Sequence, residues 1–514
     1  MTKHHSNRLR RSALGVTAAL TVAAAGALPA SAAPQPTAPQ LKLIAASGSV
    51  TIDRWKDEPG VYLDLGAYIT VDKAPLEFRV TRKSYNDPVV AQQILRQGGT
   101  RQARTLPAGL LKDFSGLPGF LEVTLTNTAG TKVLSTSQSF CPNNTAGRVR
   151  PDAPATSNWP DGCSGNPFTL GQVWGTEKGW AARLAPDFDS APVDVPAGEY
   201  TAKVSVAKKY RDLFGMTDQP QSIKVTVRET DGGGEGSEHS AHASQPAADG
   251  RTTGTGHASG SSALKPNPHR PTGRRGNAAV MPRPDLRAVP AWGIALTDGA
   301  DGHGVRDAGK EYLAFSATVW NAGPAPLVVD GFRSPGQDKM DAYQYFFDAQ
   351  GKQVGYTPTG TMEWDPREGH QHWHFSDFAG YRLLGADKKE IVRSGKEAFC
   401  LADTDAIDYT VKNANWHPEN TDLSTACGEQ NSVSVREALD VGNGDTYSQF
   451  RPGQSFDVTG LPNGTYYIQV VANPDRKLKE TSLTNNVSLR KVILGGTPGA
   501  RTVTVPAYGL VDAP

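Results

Sequence analysis

Residues 231 to 280 contain no aromatic residue, and Leu264 and Val280 are their only large aliphatic side chains. Burial of apolar area is what offsets the ordering entropy of a chain, and this stretch has almost none to bury. It reads as a flexible Gly/Ser/Pro-type linker over residues 229–282. The 514-residue chain is thereby divided into two sides, each long enough to build its own core. Three of the linker's histidines, His239, His242 and His257, read as solvated spacer residues. Arg274-Arg275 is an exposed dibasic pair open to nicking.

Both sides read as mainly β. On the N-terminal side, VYLDLGAYITV, LEFRVTR, EYTAKVSVA and SIKVTVRE are short runs rich in Val, Thr, Tyr and Phe, with turn residues between them. FLEVTLTNTAGTKVLSTSQSF reads as a hairpin around Ala129-Gly130. The one candidate helix is DPVVAQQILRQ, residues 87–97. The expectation is a β-sandwich-like domain over 34–228. On the C-terminal side YLAFSATVWNAG, APLVVDGF, YQYFFDAQGKQVGY, YRLLGAD, SFDVTGL, TYYIQVVAN and NNVSLRKVIL are strands of a second β-rich domain over 283–497, followed by a tail over 498–514. VPAGEYTAKVSVA on one side echoes LPNGTYYIQVVAN on the other, as either an old duplication or, the favoured reading, convergence on one kind of sandwich hairpin would produce.

Composition removes several function classes. The formal net charge is +1, and no long Lys/Arg run appears, so nucleic acid is not the expected partner. The N-terminus carries a basic segment, MTKHHSNRLRR, then an apolar Ala/Gly-rich run, then Ala30-Ser31-Ala32. This is the pattern of a signal peptide over 1–32 that is cleaved on export. No later run approaches a transmembrane length. A secreted protein with no membrane partner is expected, in a compartment where thiols pair. The four cysteines allow three connectivities, and their spacing favours Cys141–Cys163 and Cys400–Cys427.

Chemistry concentrates in EGHQHWHFSDF, residues 368–378. In a strand, His370, His372 and His374 share one face about 7 Å apart, and three imidazoles with an open position suit a catalytic metal. Copper, zinc, iron and nickel all accept neutral imidazole, and spacing does not choose among them. Residues 34–238 contain no histidine, which places an imidazole site in the other half.

The residues downstream narrow the choice. SGKEAFCLADT, residues 394–404, then Asp445-Thr446-Tyr447, then Thr484-Asn485-Asn486, follow the histidine run in the order of the motifs of the lysyl oxidase family. The stretch 283–495 resembles the catalytic domain of these copper-dependent amine oxidases. The resemblance implies oxidative deamination of a primary amine, small or peptidyl lysine, to an aldehyde, with dioxygen reduced to hydrogen peroxide and ammonia released. It implies copper on His370, His372 and His374, and a lysine tyrosylquinone made from Lys396 and Tyr447.

The residue types suit that chemistry. A phenol ring can be oxidised to a quinone, and a neutral lysine amine can add to it. A carboxylate is wanted for the substrate's α-proton, and Asp403 and Asp445 are the candidates. Tyr409, Tyr466 and Tyr467 compete with Tyr447, because the span from Lys396 is longer than in animal members. Animal members also carry a cysteine where this chain has Gly369. The resemblance further implies calcium at Asp285, Leu286, Glu480, Ser482, Asn485 and Asn486, with Ser482 in place of a carboxylate. His417 reads as a surface or structural residue. A secreted copper-binding module without catalysis is the rival reading. A zinc hydrolase leaves the lysine motif unexplained.

Overall fold

The computed structural model describes residues 37–56, 59–97, 99–143, 146–184, 192–217, 219–230, 269–272, 275–276, 280–298, 309–348, 351–366, 371–376, 378–394, 398–416, 425–448 and 454–508. The expected signal peptide and most of the expected linker lie outside these residues. Residues 36–514 form one compact unit. Among the described linker residues, Arg270 pairs with Asp341 of the C-terminal half.

Among the described residues the regular structure is strand apart from one short helix, as the alternating short apolar runs require. The N-terminal half builds three sheets. Strands 40–45, 67–72, 180–184 and 147–148 form one, and 171–176, 76–81, 90–97 and 100–105 form another. The third orders 49–55, 221–230, 198–206, 117–127 and 132–140. The hairpin of 117–127 and 132–140 turns where expected, with Gly130 at φ +79°. Phe78, Phe120, Phe140 and Trp174 fill the core.

The C-terminal half also builds three sheets around a separate core that includes Phe315, Trp373, Phe375, Tyr381, Phe399 and Tyr447. One sheet runs 398–399, 372–376, 353–365, 339–347, 327–332, 434–439. A second runs 284–288, 312–324, 443–447, 405–406, and the third 390–393, 379–384, 464–472, 487–497, 500–504.

Two details differ from or extend the sequence reading. Residues 87–97 do not form a helix; Val90–Gln97 is a strand paired on both sides. Its burial alternates, with Val89, Ala91 and Gln93 inside and Val90 and Gln92 outside, so period two prevails over the helix-compatible composition. Among the described residues the helix is Lys208–Phe214, with Tyr210 buried beneath it and Gly215 closing it in the left-handed conformation. The internal echo has a physical content. Tyr200 donates its hydroxyl to Pro196 O at 2.9 Å and Tyr466 to Pro462 O at 2.7 Å, so both segments make the same tyrosine corner.

Both expected disulfides are present, Cys141–Cys163 and Cys400–Cys427. The halves also share side-chain clusters. Trp159 and Val173 pack with Ala406 and Tyr409, and Phe168 packs with Val289, Trp320 and Ile407. Arg79 stacks its guanidinium 4.2 Å over the Trp416 ring.

Trp159 reaches this junction by lying on Gly175, where an added Cβ would stand 2.4 Å from the indole. Gly175→Ala is therefore expected to push Trp159 off its seat and destabilise the fold by about 1–3 kcal/mol. Urea unfolding monitored by tryptophan fluorescence checks this. An unchanged midpoint contradicts the packing described.

Candidate active site

The histidine strand, His372–Ser376, is held on both edges. On one side His372 pairs with Asp365 and His374 with Glu363; on the other Phe375 pairs with Phe399 and Ser376 with Ala398. Alternation then sorts the side chains. His372 and His374 share a face, with ring centroids 4.6 Å apart, and are 6% and 1% exposed. Trp373 points the other way, donates its indole N–H to Glu429 O at 3.0 Å, and lies under the Arg333 guanidinium. The Trp373 amide bonds to Cys427 O at 3.1 Å. The Cys400–Cys427 disulfide thereby ties the end of the lysine segment to the histidine strand.

His374 Nδ1 lies 3.4 Å from the buried Asp365 Oδ2. A carboxylate on one ring nitrogen fixes the tautomer and leaves the other nitrogen's lone pair for a metal. Two buried imidazoles, one so braced, fit a copper or zinc ion. His370 lies outside the described residues, as do Lys396 and His417. Among the described residues no group of three or more His, Cys, Asp or Glu able to hold a metal is assembled.

Tyr447 ends the strand Asn443–Tyr447 and is 4% exposed. Its ring meets the Phe399 ring edge-on, with centroids 4.6 Å apart and planes at 89°. Phe399 is three residues beyond Lys396 and pairs with Phe375, the neighbour of His374. The histidine strand, the lysine segment and Tyr447 thus meet at Phe399. Tyr381 flanks Phe399 from another side at 6.0 Å. The competing tyrosines are engaged elsewhere. Tyr409 packs at the junction of the halves and bonds to Asn443 Oδ1 at 2.7 Å; Tyr466 makes its corner; Tyr467 lies under Lys388.

The two candidate carboxylates separate. Asp403 Oδ1 accepts the Asp440 amide at 2.8 Å, a chain-fixing role. Asp445 is 4% exposed and shares its strand face with Tyr447. Its charge reaches Tyr381 and Glu437. Glu437 was not visible in the sequence, where SVREALD carries no motif. It is fully buried, and its Oε2 accepts the Leu401 amide at 3.0 Å. Its Oε1 has no hydrogen-bond partner among the described residues. Burial drives the Glu437 carboxyl well above the usual carboxylate range; Asp445 adds to this, and the Leu401 and Phe375 amides oppose it. Burial likewise drives Tyr381 well above the ordinary phenol value, with Asp445 adding to it. Asp365 was missed too, because only the pairing of 353–365 with 372–376 brings it to the histidines.

The calcium candidates are also brought together, apart from half-buried Ser482, which bonds to Thr484. Leu286 N donates to Glu480 Oε2 at 3.0 Å, and the Asn486 amide donates to Glu480 Oε1 at 2.8 Å. The Asn485 amide and the Arg287 guanidinium both hold Asp285. Asn485 Oδ1 and Asn486 Oδ1 are buried without a hydrogen-bond partner among the described residues.

Glu437 makes stability depend on pH in a definite direction. Its folded pKa is raised, so its contribution is present below the usual carboxylate range and is lost as pH rises toward the folded value. Glu437→Gln keeps the shape and cannot ionise. In chelator-treated protein the variant is expected to melt above the wild type near about pH 8 and with it near about pH 4. Each kcal/mol corresponds to about 2–4 °C in a domain of this size. Parallel profiles across that range contradict a buried neutral Glu437.

Comparison with known proteins falls on this same region. Residues 347–501 match the family profile described as lysyl oxidase. Lysyl oxidase homolog 2A of Danio rerio is 33% identical over 129 residues, 25% of this chain and 16% of that protein. Protein-lysine 6-oxidase of Homo sapiens is 33% identical over 126 residues, 24% of this chain and 26% of that protein. Lysyl oxidase homolog 2 of Xenopus tropicalis is 29% identical over 142 residues, 26% of this chain and 16% of that protein. The chain spans no more than about a quarter of the length of these three relatives. The histidine strand, Phe399 and Tyr447 all lie inside the matched residues, and the segment 347–501 is a lysyl oxidase family domain.

Proposed function

We propose that this chain is a secreted copper-dependent amine oxidase that converts primary amines, small or peptidyl, to aldehydes. The observation that carries the reading is the meeting at Phe399 of the histidine strand, the segment that holds Lys396, and Tyr447. Copper and a lysine tyrosylquinone would together supply the electron sink and the route to dioxygen. His370, His372 and His374 would hold the metal, and Lys396 and Tyr447 would form the quinone.

The other roles belong to residues already described. Asp365 keeps the proton of His374 on Nδ1 and so presents Nε2 to the metal. Asp445, on the face of Tyr447, takes the α-proton of the bound amine. Glu437, kept neutral by burial, holds its own proton beside Asp445 and spares that site a second negative charge. Phe375, Phe399 and Tyr381 exclude water around the tyrosine. Export is supported by the N-terminal sequence pattern and by the two disulfides. Among the described residues no helix is long and apolar enough to cross a membrane. Calcium at 285–286 and 480–486 fits the two buried amide oxygens of Asn485 and Asn486; Arg287 competes for Asp285 and weakens the site.

Hydrogen peroxide released on adding a primary amine under air tests the reading. Lys396→Arg and Tyr447→Phe are each expected to lower it at least about 100-fold with copper still bound, and Asp445→Asn to lower it by about 100- to 10,000-fold. Full activity in Lys396→Arg or Tyr447→Phe contradicts the quinone assignment. Copper binding without amine-dependent peroxide in the wild type favours a non-catalytic copper-binding module.

A further inference from the structure

The strand that ends in Tyr447 has a second face. Asp445 and Tyr447 look into the C-terminal core, and Thr446 looks toward the N-terminal half. Thr446 Oγ1 lies 2.7 Å from Thr318 Oγ1, its partner across the strand pair. Thr318 Oγ1 accepts the side-chain amide of Asn166 at 3.0 Å. Beside them, Asp405 Oδ1 accepts the Ser164 hydroxyl at 3.3 Å. Asp405 also accepts hydrogen bonds from Thr446 and Asn166, and desolvation still holds its carboxyl above the usual range. Thr169 Oγ1 donates to Ala406 O at 2.9 Å, and main-chain bonds run from Leu170 N to Ile407 O and from Tyr409 N to Gly171 O.

Most of these groups are shut away from water, with Asp405 half-buried at their edge. Asn166 and Thr446 are each 3% exposed, and Thr318 is fully buried. A polar network this deep is satisfied only while both halves contribute their donors and acceptors, and each lost partner leaves a buried group unpaired. The lysyl oxidase match begins at residue 347, so Asn166 and Thr318 both lie outside it.

We propose that residues 164–171 of the N-terminal half are a positioning element of the active site, with Asn166 setting the strand of Tyr447 through Thr318 and Thr446. The half without histidines is then part of the catalytic unit, and its role is to fix the tyrosine rather than to touch substrate. The importance of that position rests on the reading of Tyr447 as a quinone residue; the mechanical coupling does not.

The test uses the full chain. Asn166→Asp keeps the local turn, since Oδ1 still accepts the Phe168 amide at 3.0 Å, and removes the amide donor. Hydrogen exchange is read on peptides covering 443–447, with 487–497 as the internal reference. Exchange at 443–447 is expected to quicken at least about 10-fold with 487–497 unchanged. It is expected to return toward wild type in Asn166→Asp with Asp405→Asn, where donor and acceptor trade places. Asn166→Ser, with a shorter side chain, gives the same expectation if the aspartate variant fails to fold. Unchanged exchange at 443–447, or acceleration spread evenly over the chain, overturns the proposal. Phenylhydrazine labelling of copper-matured protein separates the two readings. Labelled wild type with at least about five-fold less label in Asn166→Asp, at equal copper, supports both. Unlabelled wild type sinks the quinone reading and leaves the exchange result to decide the coupling.

Discussion

Five residues of strand cannot hold their own geometry, and the strand 443–447 keeps its place because all five of them are buried. Strand alternation gives it two faces, and each has partners it cannot lose cheaply. One face sets Asp445 and Tyr447 against Phe399, Tyr381 and Glu437. The other locks Thr446 into a buried hydroxyl and amide chain that ends at Asn166. The active-site arrangement depends on this strand being held from both sides, because a shift in its register would exchange the two faces.

The same economy governs the histidine strand. Its pairing with 353–365 brings Asp365 to His374, and its pairing with 398–399 brings the lysine segment to Tyr447. A disulfide and a main-chain bond at Cys427 then fix the two ends together. His372, His374 and the carboxylate of Asp365 are thus placed by backbone register, which suits a site where small displacements are expensive.

The sequence made some of this readable and hid the rest for physical reasons. Histidines two apart announce a shared strand face, and His372 and His374 share one. The P-x-G-x-Y echo marked two tyrosine corners. Residues 87–97 misled because Val, Ala, Gln and Leu serve either helix or strand, and only the neighbours at 76–81 and 100–105 decide. Glu437 was invisible because burial of a carboxyl is a tertiary fact with no local signature. The Asn166 network was hidden for a similar reason, since its partners lie 152 and 239 residues away along the chain, at Thr318 and Asp405. The absence of histidine from residues 34–238 gave no hint that this half hydrogen-bonds the tyrosine strand.

The account stands on Lys396 and Tyr447 becoming one covalent unit. The direct measurement is peptide mass mapping of protein matured with copper under air. The account predicts a single cross-linked species that joins the Lys396 peptide to the Tyr447 peptide, with the oxidation state of a quinone. A cross-link from Lys396 to Tyr381 or another tyrosine would contradict the assignment of Tyr447. Unmodified Lys396 and Tyr447 peptides from copper-replete protein would contradict the account as a whole.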